Sequence, residues 1–326
     1  MCYSVAFIRK FSRVVRYWGR KAGEITNSLL DKLFLPKGSI VVDPFGGSGT
    51  ITFISALKGY RSIYIDLNPY AYLITSVLFE GFDINDFLST LERIMRRKRA
   101  IFIKDGEHRR GYIPTLYIQK KKSIKYFLWR NKKCFAVLDG NVMIPSGDIL
   151  GLPYYWYPKD AELCYDGGVY FDKRRNADYI SEFYTRRNLI LLSNLYHDIM
   201  KYAKNERTLN ALLLVFVSIL YQSSRMARLN AGSWGVNSYW IPKTHVELNP
   251  YELFLRRARR LVKLFTTAEH TQKLCILKGT NNIDSFINKS KGDVLLLCGD
   301  ALKILSEFPS NSLDAIITDP PHTDEI

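Results

Sequence analysis

The chain has 326 residues, 47% of them hydrophobic, enough for a sizeable buried core and too apolar for a largely disordered protein. Its formal charge of +16, from 47 Lys and Arg against 31 Asp and Glu, favours a polyanionic partner. There is no CxxC pair among its five cysteines and no uninterrupted apolar run of about 18 residues, so a disulfide scaffold and a membrane-spanning helix are not expected and a reduced, cytoplasmic setting is.

The positive charge begins in a cluster of Arg9, Lys10, Arg13, Arg16, Arg20 and Lys21. The apolar stretch from Val5 to Ile8 is too brief for a signal peptide. Glu24 to Phe34 carries Ile25, Leu29, Leu30 and Leu33 at helical spacing, and Pro36-Lys-Gly38 ends it. Ser39 to Val42 reads as a short buried strand. It runs into a glycine turn, Asp43-Pro44-Phe45-Gly46-Gly47-Ser48-Gly49-Thr50, and Thr50 to Lys58 reads as a helix closed by Gly59. Arg61 to Ile65 is a second strand, ending in Asp66 and followed by Leu67, Asn68 and a helix from Tyr70 to about Glu80. Strand, helix, strand and helix at this spacing predict an α/β fold with an open parallel sheet.

The rhythm then breaks. Asn85 to about Arg99 reads as a basic helix. Short strand-like runs follow at Ile101–Ile103, Thr115–Gln119, Ile124–Trp129 and Cys134–Leu138, a small β-rich module. Lys120, Lys121, Lys122, Lys125, Arg130, Lys132 and Lys133 interleave there with Tyr117, Tyr126, Phe127 and Trp129. Cations with stacking side chains suit phosphates and bases, although any one such run also fits a solvated face. Helices resume at Arg187–Lys204, Thr208–Tyr221 and Pro250–Thr267, the last carrying Arg256, Arg257, Arg259 and Arg260; Ala211 to Tyr221 is apolar enough for a buried helix. The α/β rhythm returns at Asp293: strand Val294–Leu297, turn Gly299-Asp300-Ala301, helix Leu302–Phe308, and strand Ala315–Ile317 running into Thr318-Asp319-Pro320-Pro321-His322. Cys298, in an apolar run, is expected in the core. Whether Cys134 and Cys164 bind zinc stays open. The expected organisation is one sheet, residues 1–84 and 291–326, interrupted by a long α+β insertion over residues 85–290.

Two segments carry chemistry. A glycine turn between strand and helix lets a ligand approach the backbone, and the helix start favours anionic groups. Position 52 is Thr, so the dinucleotide fingerprint lacks its third glycine, and the phosphate loop is absent too. Asp66, at the end of the next strand, is placed to bind ribose hydroxyls, and Asp300 to lie beside an adenine; either also fits a helix N-cap. At the other end, Asp319 offers a carboxylate and Pro320 a carbonyl. Two acceptors aimed at one exocyclic amino group draw its lone pair out of the ring, and Pro321 stiffens the backbone that holds them. A flat side chain at 322 suits stacking on an extruded base. No Pro-Cys dipeptide supplies the nucleophile that cytosine C5 chemistry needs.

On these motifs the chain resembles the superfamily of DNA N6-adenine and N4-cytosine amino-methyltransferases. Asp43–Thr50 is similar to their cofactor motif, Asp66–Pro69 to the acidic ribose motif, Gly299–Ala301 to the adenine-side motif and Asp319–His322 to the catalytic tetrapeptide. Target-recognition material ahead of the catalytic motif matches the α arrangement, and Arg13–Lys21 holds the place of the motif preceding the glycine turn. Phe183–Leu189 and Gly232–Pro242 resemble segments of large archaeal and bacterial adenine-specific DNA methylases with a DUF1156-type region. The resemblance implies a Rossmann-like sheet, S-adenosylmethionine as cofactor, DNA as substrate and no metal. Alternatives are an RNA base N-methyltransferase, disfavoured by the roughly forty residues ahead of the turn, and an inactive nucleic-acid-binding fragment. Two departures stand out. His322 replaces the family's Tyr, Phe or Trp. Family sheets also continue past the catalytic strand, whereas this sequence stops at Ile326, so an incomplete sheet, completed by a second polypeptide, is expected.

Overall fold

A computed structural model describes residues 5–15, 17, 21–98, 116–120, 123–129, 132–136, 153, 155–165, 169–170, 177–227, 241, 244–267 and 274–320. In chain order the elements are α1 (Val5–Val14), α2 (Gly23–Lys32), β1 (Ile40–Asp43), α3 (Thr50–Leu57), β2 (Arg61–Asp66), α4 (Pro69–Glu80) and α5 (Ile84–Lys98). Next come β3 (Leu116–Lys120), β4 (Ser123–Trp129), β5 (Lys132–Ala136), β6 (Cys164–Tyr165), β7 (Val169–Tyr170), α6 (Arg186–Tyr202), α7 (Glu206–Leu220), β8 (Thr244–Leu248) and α8 (Pro250–Thr267). The last are β9 (Ile276–Lys278), α9 (Ile283–Ile287), β10 (Val294–Cys298), α10 (Ala301–Leu305) and β11 (Ala315–Ile316). They gather into two compact units, one of Met1–Ile84, Glu206–Leu214 and Arg260–Ile326, the other of Asn85–Asn205 and Val215–Arg259.

The first unit holds a five-stranded sheet in the order β11-β1-β2-β10-β9, with every adjacent pair parallel. The fold is therefore mixed α/β around a parallel sheet. The inner strands of such a sheet are covered on both faces, which is why β1 and β10 read as apolar runs. Ile40, Val42, Ile63, Ile65, Leu295 and Leu297 pack with Phe286 of α9 into one buried layer. β9 lies in this sheet too, ahead of the point where the sequence rhythm resumes; three residues are too few to show a period.

α1 lies within the N-terminal basic cluster. Phe7, Ile8, Phe11 and Val14 are buried while Arg9, Lys10 and Arg13 face water. Phe7 meets Phe53 at 6.1 Å and Phe265 edge-on at 5.7 Å. These cations are thus the solvated face of an amphipathic helix. The run in α8 divides similarly: Arg256, Arg259 and Arg260 are exposed, whereas Arg257 is buried and donates to Gln222 at 3.1 Å.

In the second unit β5-β4-β3-β8 form an antiparallel sheet. Buried Asn188 ties α6 to its surroundings, donating to the Ser223 carbonyl at 2.7 Å and the Leu248 carbonyl at 2.9 Å. α7 is apolar and inward-facing at Leu212, Val215 and Ile219, as its sequence predicts. The strand run at 101–103 and the segment 232–240 lie outside the described residues.

Candidate active site

Parallel strands open their carboxyl ends on one edge, where open α/β sheets bind ligands. Along β11-β1-β2-β10 that edge carries, in turn, Thr318-Asp319-Pro320, the Asp43–Thr50 turn, Asp66-Leu67-Asn68 and Gly299-Asp300-Ala301. The two motifs come to one edge because β11 docks on β1: Ile317 N–H donates to the Val42 carbonyl at 3.0 Å, and the Asp314 carboxylate accepts from Ile40 N–H at 2.7 Å. Asp319 and Pro320 are exposed at this edge. Pro321 and His322 lie outside the described residues.

The glycine turn is held from beneath. Gly46 N–H donates to the Ile65 carbonyl at 2.9 Å, and the Tyr64 hydroxyl donates to the Gly47 carbonyl at 2.9 Å. Gly47 and Gly49 have φ of +52° and +76°, a region that costs other residues strain. Pro44, Ser48 and Thr50 are buried, and the two hydroxyls share a hydrogen bond at 3.1 Å. Their part is to build the turn. A Cβ on Gly46 would lie 2.2 Å from the fully buried Tyr64 ring. Gly46→Ala is accordingly expected to destabilise the chain by about 1–3 kcal/mol, the usual range for overpacking. An unchanged denaturant midpoint would contradict it.

Asp66 locks the turn to the neighbouring strand. Its Oδ2 accepts Gly47 N–H at 2.6 Å and its Oδ1 accepts Asn68 N–H at 2.8 Å. A carboxylate oxygen takes two donors, so each retains an acceptor position. Asn68 is the N-cap of α4, with Oδ1 accepting Tyr70 N–H at 2.9 Å and Pro69 opening the helix. Asp300, by contrast, is itself an N-cap: its Oδ1 accepts Leu302 N–H at 2.9 Å and Lys303 N–H at 3.4 Å, with Ala301 the first residue of α10. Leu67 is 72% exposed and Phe45 43%, so two apolar side chains flank the turn uncovered.

The most informative residue here is the last of the stretch Arg13–Lys21 that precedes the glycine turn. Lys21 Nζ donates to both Asp43 carboxylate oxygens, at 3.1 and 3.0 Å, and to the Phe45 carbonyl at 2.7 Å. Both side chains are nearly or fully buried. Burial pushes the Asp43 carboxyl up to about 6 even with the Lys21 cation pulling it down. Tyr17 lies beside the turn, its ring 3.1 Å from where a Gly47 Cβ would be. Burial, then the Asp66 charge, push its phenol up to about 12, so it stays a neutral donor. In the sequence Lys21 ends a basic cluster; the strand that buries its partner is what separates it from its neighbours.

Cys298 is exposed, contrary to the sequence reading. It ends β10 opposite Asp66, where the apolar run leaves the sheet. Burial of the part that remains covered, then the Asp66 charge, raise its thiol. Among the described residues no cluster of His, Cys, Asp and Glu is placed to hold a metal, and Cys164 is exposed. The Cys134 side chain lies outside the described residues.

Comparison with known proteins gives two partial likenesses. The chain is 25% identical over 189 residues to the Type II methyltransferase M.MjaII of Methanocaldococcus jannaschii, spanning 58% of this chain and 35% of that protein. It is 34% identical over 59 residues to the Type II methyltransferase M.BsoBI of Geobacillus stearothermophilus, 18% of this chain and 12% of that protein. The chain thus covers about a third or less of the length of these relatives. No family model and no solved structure matches it.

Proposed function

We propose that this chain is an S-adenosylmethionine-dependent methyltransferase acting on an exocyclic amino group of adenine or cytosine in DNA. One observation carries the proposal: the acceptor pair at Asp319 and Pro320 and the glycine turn at Asp43–Thr50 sit side by side on one sheet edge, brought there by the β11–β1 pairing. The similarity to two Type II methyltransferases supports the same reaction class.

The residues present fit the cofactor. The glycines keep the backbone open to close approach, Asp66 retains acceptor positions for ribose hydroxyls, and exposed Leu67 and Phe45 offer apolar contact to a purine. Asp300 and Ala301, at the start of α10, border the same space. When bound, S-adenosylmethionine supplies an electrophilic methyl group. Asp319 accepts one N–H of the target amine and the Pro320 carbonyl the other, which frees the nitrogen lone pair for attack. In this reading Pro321 stiffens the backbone that carries the acceptor pair, and the flat side chain of His322 suits stacking on an extruded base.

A companion reading concerns the sheet edge. Among the described residues β11 pairs with β1 alone, and Ile316 at this edge is 60% exposed. An apolar strand edge of this kind invites a further strand. We infer that a further strand pairs with this edge in the active enzyme.

The test is transfer of labelled methyl from S-adenosylmethionine to duplex DNA and, separately, to tRNA. Label in DNA N6-methyladenine or N4-methylcytosine is the expected result. Label in tRNA alone would move the chain to an RNA base methyltransferase. Cofactor binding without transfer, restored by a co-expressed polypeptide, would support a further strand at the β11 edge.

A further inference from the structure

We propose that the segment from Tyr155 to Pro158 in the second unit presents Trp156 as a stacking platform for an unstacked DNA base. Trp156 is 71% exposed, an unusual position for the largest apolar side chain. The backbone beneath it is fixed. Tyr155 stacks on His197 of α6, ring centroids 3.7 Å apart and planes 5° apart. Buried Asn194 donates to the Pro153 carbonyl at 2.8 Å. The indole itself leans on Tyr196, 6.3 Å away, which in turn meets Phe216 at 5.8 Å. A rigid, two-sided anchor with a free aromatic face is what a passing base needs, because stacking then costs little side-chain entropy.

The formal charge of +16 favours a polyanionic occupant. One turn along α6 from His197, the Lys201 ammonium lies 5.6 Å from the Tyr202 ring, and the Arg93 guanidinium lies 4.2 Å from the same ring. Lys159 is exposed just past the segment, and so are Asp160 and Glu162. An apolar partner gains nothing from such cations, whereas a nucleic-acid strand places a phosphate beside every base. The platform rests on the DNA reading above and adds a contact outside the cofactor edge.

The experiment measures fluorescence anisotropy of a labelled single-stranded oligonucleotide and its duplex with the full chain. Trp156→Ala is expected to weaken single-strand binding roughly 5- to 100-fold, the loss of one base–aromatic stack, while Trp156→Phe stays within about threefold. Duplex binding should change much less. Since the residue is exposed, both variants should keep the native melting curve. If native chain binds the single strand and Trp156→Ala binds it equally well, the platform is overturned and the DNA reading survives. If native chain binds neither oligonucleotide, both fall.

Discussion

Asp319→Ala is expected to lower kcat for methyl transfer to DNA by about 10²–10³-fold, comparable to loss of one preorganised hydrogen-bonding group at a reacting centre. Cofactor affinity should stay within about threefold, because in the proposed reaction the carboxylate acts only on the target amine. The reason lies in the placement. Asp319 follows β11 into solvent, exposed and within the reach of a base, whereas Asp43 and Asp66 at the same edge are engaged by Lys21 and by backbone amides. Of the three it is the one whose oxygens are spared structural duty in the turn. Asp319→Asn retains one acceptor and should lose less than Asp319→Ala. Equal rates for the native chain and Asp319→Ala would remove the acceptor pair from the mechanism. A matching loss of cofactor affinity would turn Asp319 into a binding residue.

Much of this edge was legible in the sequence. Strand, turn and acidic residue follow one another at short range around Asp43 and Asp66, so local pattern was enough. The pairing of β11 with β1 is not local: the returning α/β rhythm placed both motifs in one sheet but did not say which strands would be neighbours. Three things were hidden. α1 looked like a basic run because its apolar face of Phe7, Ile8, Phe11 and Val14 is diluted by cations at the alternate positions of the helix. β9 is too short to show any period. The pairing of Lys21 with Asp43 depends on a buried long-range approach that composition cannot show. Asp300 illustrates the opposite limit: a carboxylate ahead of a helix was readable as cofactor ligand or N-cap, and the structure makes it a cap while leaving Oδ2 outside the two capping bonds.

Lys21→Met should be the most damaging substitution for the turn itself, and its effect should depend on pH in a defined direction. Asp43 is fully buried and Lys21 is its counter-ion. Removing one partner of a buried pair costs about 3–5 kcal/mol when the other must stay charged. Here the remaining carboxyl has a way out, because burial already raises it to about 6 and loss of the cation raises it further. Below pH 6 the native acid is largely neutral, so the ion pair contributes little and the variant should lose little. Above pH 6 the native carboxylate is charged and paired, whereas the variant must either bury a bare charge or hold a proton against the solution. The destabilisation by Lys21→Met should therefore be small near pH 5 and grow as pH rises through 6 toward 8. The sign for the native chain follows from the same shift. Asp43 is raised above its unfolded value of 3.8, so its neutral form favours the fold at pH 4 and that contribution is lost as pH rises through 6. Asp43→Asn isolates the cause, since an amide neither needs the cation nor titrates. In the Asp43→Asn background, Lys21→Met should give a pH-independent and smaller loss. Denaturant midpoints of the four proteins at pH 5 and pH 8 decide it. A Lys21→Met penalty equal at both pH values would mean that the lysine works through its bond to the Phe45 carbonyl and its packing, and not through the charge on Asp43.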